Sequence, residues 1–73
     1  MPKLGIFSGK EVCAILEAAG FKDVRQSGSH IIMQRKDETS TTTVPVPNHK
    51  EIRIGTLQSI IRQSKLSREL LEK

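Results

Sequence analysis

The chain is 73 residues long and carries 12 Lys and Arg against 8 Asp and Glu, a net charge of +4. That length limits it to one small domain, residues 1–73, burying only about 60% of its unfolded surface; a single cysteine excludes an internal disulfide, and two histidines nineteen positions apart form no metal-ligand cluster. The basic balance favours an anionic partner, nucleic acid first or an acidic protein second, while two Phe and no Tyr or Trp argue against binding by base stacking.

In chain order, Phe7-Ser8-Gly9-Lys10-Glu11-Val12 predicts a helix start. Ser8 is placed as N-cap, Glu11 completes a capping box, and Phe7 and Val12 fall at the two ends of a hydrophobic staple. Val12, Ile15, Leu16 and Ala19 recur at helical spacing and give one apolar face. Gly20 is a natural stop, so the first helix is expected over 9–19. Cys13 lies at or near the buried face, where a small packed hydrophobe is the default. Residues 21–27 are extended in character, with Phe21 and Val24 as apolar members, and Ser27-Gly28 supplies a turn. His30 to Lys36 is a strand, with Ile31 and Met33 on one face and His30, Ile32 and Gln34 on the other.

A polar loop over 36–40 leads to a third strand over 41–46, rich in β-branched residues. Pro45 and Pro47 put its end on a sheet edge or outside the sheet. Residues 48–53 connect to a second helix over 55–64, with Leu57, Ile60 and Ile61 as its stripe. Ser67 caps a last short helix whose Leu70 and Leu71 are expected to pack inward. The order α-β-β-β-α(-α) predicts an α+β domain of two layers, a three-stranded antiparallel sheet with helices on one face.

The candidate chemistry centres on His30. An imidazole can take and give protons near neutral pH. Gly28 opens the hairpin tip to a substrate backbone, and Ser29 adds a hydroxyl. RNA cleavage by the neighbouring 2′-hydroxyl fits this set, because it needs proton transfer and charge stabilisation but no metal and no protein nucleophile. The plain alternative is a solvated hairpin histidine. His49 is either a solvated loop residue or an accessory acid/base group, if the third strand returns near the hairpin. Ser8-Gly9-Lys10 lacks the full phosphate-loop pattern, and the capping box accounts for Ser8 and Glu11; Lys10 beside a helix N-terminus can still contact a backbone phosphate. Arg25, Arg35, Lys36, Lys50, Arg53, Arg62, Lys65 and Arg68 form the expected basic surface. Of the whole set, Lys10, Arg25, Arg35 and Lys36, with Gly28 and Ser29, are the candidate substrate-binding residues.

Residues MPKLGIFSG are too short and too weakly apolar for a signal peptide. No run approaches the roughly 20 apolar residues that span a bilayer. With the lone cysteine, this points to a soluble cytoplasmic protein without membrane, metal or cofactor.

Several segments together resemble the HicA toxins of type II toxin–antitoxin systems. They are Ser8-Gly9-Lys10-Glu11, Ala19-Gly20-Phe21, Arg25-Gln26-Ser27-Gly28-Ser29-His30, Val46-Pro47-Asn48-His49 and Gly55-Thr56-Leu57-Gln58-Ser59-Ile60-Ile61-Arg62-Gln63. The resemblance spans nearly the whole chain. It implies a fold like a double-stranded-RNA-binding domain and a ribonuclease that cleaves mRNA without the ribosome. It also implies His30 as the catalytic residue, and a HicB-like antitoxin that covers the site. Ile31 and Ile32 stand where family members often carry a polar or aromatic residue, a departure that bears on substrate preference. Three readings follow: a metal-independent endoribonuclease, a small RNA-binding domain in which His30 only contacts RNA, and a subunit whose function lies wholly in a complex.

Overall fold

The computed structural model describes residues 5–72; residues 1–4, the start of MPKLGIFSG, lie outside that range. Helix α1 (Gly9–Ala18) is followed by strands β1 (Lys22–Ser27), β2 (His30–Lys36) and β3 (Thr41–Pro47), then helix α2 (Ile54–Ser64) and a 3-10 turn over Arg68–Leu71. The strands form one antiparallel sheet in the order β1-β2-β3. The architecture is the α+β arrangement expected.

The ends of α1 are set by local chemistry. The Glu11 backbone N–H donates to Ser8 Oγ at 3.1 Å, and the Ser8 N–H donates to Glu11 Oε1 at 3.0 Å, so the capping box is complete. Two of the helix's first N–H groups thereby gain acceptors. Replacing Ser8 with alanine is expected to cost about 1 kcal/mol. In a thermal melt of a domain this size that is a fall of about 4–8 °C. At the other end Gly20 adopts φ 99°, its N–H donates to the Glu17 carbonyl, and the Phe21 N–H donates to the Leu16 carbonyl. This is a Schellman stop, and the buried pair Leu16 and Phe21 supplies its apolar contact.

One face of the sheet carries the core. Val12, Cys13 and Leu16 of α1, Leu57 and Ile60 of α2, and Met33, Val44 and Val46 of the strands bury together with Phe7, Phe21, Ile52 and Leu71. Met33, Val44 and Val46 are fully buried, whereas their strand neighbours Thr43 and Pro45 are exposed. The period-two alternation thus places the helices on one side only. Leu71 packs inward as expected, but Leu70 is 47% exposed, because the tight 3-10 turn points it away from the core. Val24 is also exposed. A register shift between Asp23 and Arg25 sets it apart as a bulge and breaks the alternation in β1.

Cys13 is buried, and its thiol is pushed above the ordinary range by that burial first and then by the carboxylates of Asp23 and Glu17. It is a packing residue held in the unreactive thiol form. Among the described residues, no helix is long and apolar enough to cross a membrane, and no group of three or more His, Cys, Asp or Glu could hold a metal ion.

Candidate active site

Ser27 and His30 pair across a two-residue turn, Gly28-Ser29. Gly28 has φ +59° and nothing within 4 Å of where a Cβ would stand. The turn therefore needs glycine for its backbone conformation, at the first central position, where a type II′ hairpin turn takes it. The space beside it at the tip is open.

His30 is the first residue of the central strand. Its cross-strand partners are Ser27 on one side and Pro47 on the other. It lies at the sheet rim, exposed, where the β1–β2 turn and the exit of β3 meet. No imidazole hydrogen bond occurs among the described residues. His30 shares the parity of Ile32 and Gln34, opposite to buried Met33, so its side chain lies on the face away from the helices.

Backbone contacts hold this rim. The Asn48 N–H donates to the Ser29 carbonyl at 2.7 Å, tying the end of β3 to the hairpin turn. The Gly9 N–H donates to the His49 carbonyl at 2.9 Å, tying the same segment to the start of α1. A Cβ built on Gly9 would overlap the Pro47 carbonyl oxygen and stand 2.9 Å from Asn48 Cα. Three stretches distant in sequence, Ser8–Lys10, Gly28–His30 and Pro47–His49, thus converge. The third strand does return to the hairpin.

The candidate binding residues separate into three places. Arg25 pairs with Ile32, one same-face step from His30, and so lies on the open face near the imidazole. Lys36 is on that face too but at the far end of β2, about 20 Å away at strand rise. Lys10 and His49 line a groove of about 300 Å³ with Ser8, Asn48 and Lys50, and His30 is not part of that lining. Arg35 faces the helical layer. Its guanidinium sits 5.1 Å over the Phe21 ring and its Nη1 donates to the Ala19 carbonyl at 3.4 Å. Its Nε is 4.0 Å from Asp37, too far for a hydrogen bond, and is buried without a hydrogen-bond partner. These contacts tie β2 to the end of α1.

Sequence reasoning missed one feature of the open face and one of the rim. Lys22 pairs with Gln34 and so joins the open face, but the bulge at Val24 hid its parity. Gly9 reads in sequence only as part of a helix start, since the carbonyl it abuts lies thirty-eight positions away.

The structure thus defines a small α+β domain with an exposed histidine on the rim of an uncovered sheet face. Residues 9–66, most of the chain, match the family model described as HicA toxin of bacterial toxin–antitoxin. The chain belongs to the HicA toxin family. Comparison with curated proteins and with solved structures gave no match.

Proposed function

We propose that this chain is the toxin of a toxin–antitoxin pair and acts as a metal-independent endoribonuclease on mRNA in the cytoplasm. The observation that carries the reading is the family match together with an exposed, unengaged imidazole on a backbone-braced rim. In the proposed reaction the ribose 2′-oxygen attacks the adjacent phosphorus and the bond to the 5′-oxygen breaks. The products are a 2′,3′-cyclic phosphate and a 5′-hydroxyl end. One proton leaves the 2′-hydroxyl and one reaches the departing 5′-oxygen. His30 carries one of these transfers, with water or His49 as accessory for the other. Arg25 lies near enough along the sheet to neutralise phosphate charge. Gly28 and Ser29 shape the approach, and Lys10 offers a further phosphate contact from the neighbouring groove.

A partner antitoxin of HicB type would silence the enzyme by covering this rim, and a basic toxin suits a more acidic partner. The alternative is an RNA-binding domain without chemistry, which the same exposed histidine would serve as a contact. Incubating the purified protein with end-labelled single-stranded RNA in EDTA decides between them. Cleavage with cyclic-phosphate ends is expected. Binding without cleavage would leave the non-catalytic reading standing.

A further inference from the structure

We propose that the uncovered face of the sheet is the track on which the RNA strand lies, from His30 at one rim to Lys22 and Lys36 at the other. The inference rests on the ribonuclease reading above and adds to it the path of the substrate.

Register and alternation assign the face. Lys22, Arg25 and Ser27 of β1 pair with Gln34, Ile32 and His30 of β2, and Lys36, Gln34, Ile32 and His30 pair with Thr41, Thr43, Pro45 and Pro47 of β3. Paired residues point to the same side. The face therefore carries three basic side chains, Lys22, Arg25 and Lys36, together with His30. Asp23, the acidic residue within the strands, pairs with buried Met33 and so lies on the helical side. Beyond Lys36, Asp37 is engaged with Arg35 and Glu38 stands exposed in the loop, which marks an end to the cationic run.

The shape agrees. At the end remote from His30, Gly20, Lys22, Val24, Gln34 and Lys36 line an open pocket of about 310 Å³. That is at the small end of ligand-pocket sizes, and it is flanked by two of the three cations. The bulge that lifts Val24 out of β1 builds one of its walls. Between the two ends Ile32 is half-buried and Gln34 is held by its Nε2 donating to Thr43 Oγ1 at 3.2 Å. Such a surface contacts phosphates through fixed charges and offers no aromatic platform, so binding is electrostatic and tolerant of sequence. On this face the apolar side chains Ile32, Pro45 and Pro47 gather towards His30, the end an antitoxin would cover, while the cations run on past them.

The test measures RNA affinity against salt in a His30→Ala background, so that the labelled single-stranded probe survives. Each lost phosphate contact lowers the log–log salt slope by about 0.7 for a single strand, so K22Q/K36Q should lose about 1.4 in slope and roughly 20-fold in affinity at 0.1 M salt. R53Q/K65Q removes two exposed charges from the helical layer and serves as the control for net charge. A circular dichroism melt of each variant confirms folding. An unchanged slope in K22Q/K36Q, or an equal loss in R53Q/K65Q, overturns the track. Wild-type protein that cuts RNA while K22Q/K36Q keeps its slope sinks the track alone. Wild-type protein that binds along this face yet never cuts sinks the ribonuclease reading and leaves the track in place.

Discussion

Replacing His30 with alanine should lower RNA cleavage by about 10²–10⁴-fold, the usual worth of one positioned proton-transfer group. The melt should scarcely move. His30 is exposed, its imidazole makes no hydrogen bond among the described residues, and its strand contacts are backbone ones that alanine keeps. Surface changes of this kind usually stay within about 0.5 kcal/mol. The defect should fall on kcat, because one proton-transfer group is lost while Arg25, Lys22 and Lys36 remain. Added imidazole should recover part of the rate, since the rim is open to solvent. Equal cutting by wild type and variant would mean that His30 is not the proton carrier and that the activity lies elsewhere.

Gly9→Ala is the second change with a large expected effect, and here the loss is in stability. Helix propensity alone would favour alanine by up to about 1 kcal/mol. Steric overlap opposes it, because the new methyl would meet the Pro47 carbonyl oxygen and Asn48 Cα, both backbone atoms that cannot swing aside. Overpacking of this kind costs about 1–3 kcal/mol, and at a net 2 kcal/mol the melt of a domain this size would fall by about 8–16 °C. The same shift should reach the rim around His30, since the Asn48 N–H donates to the Ser29 carbonyl. Gly55→Ala supplies the contrast. Nothing lies within 4 Å of its Cβ position in the first turn of α2, so it should be neutral or mildly stabilising. An unaltered melt for Gly9→Ala would show that α1 and the end of β3 can separate at little cost.

Much of this could be read from the sequence because it was local. The capping box at Ser8 and Glu11, the glycine stop at Gly20, and the alternation in β2 each depend on residues within a few positions of one another. The structure returned those elements with bounds shifted by a residue or so. What failed or was hidden depended on the type of turn adopted or on distant partners. Leu70 follows the apolar pattern of its segment but the 3-10 turn faces it outward. Arg35 looks like another surface cation until Phe21 and Ala19 come beneath it. His30 stood out through its place after a glycine turn, but its bracing by Asn48 and the closeness of Gly9 to Pro47 belong to tertiary structure alone.

The two prolines of β3 also bear on how this molecule can assemble. Pro45 and Pro47 lie two apart on an edge strand, and a ring nitrogen cannot donate to a neighbour, so both must take the outward parity of the ladder. That edge therefore lacks two of the donors that an added strand would need. The opposite edge, β1, is interrupted by its bulge and fringed with Lys22 and Arg25. Interruptions and charges of this kind discourage strands from adding to a sheet. Concentrated protein should thus resist growing into edge-to-edge sheets, and a macromolecule that meets this domain is steered towards its broad surfaces.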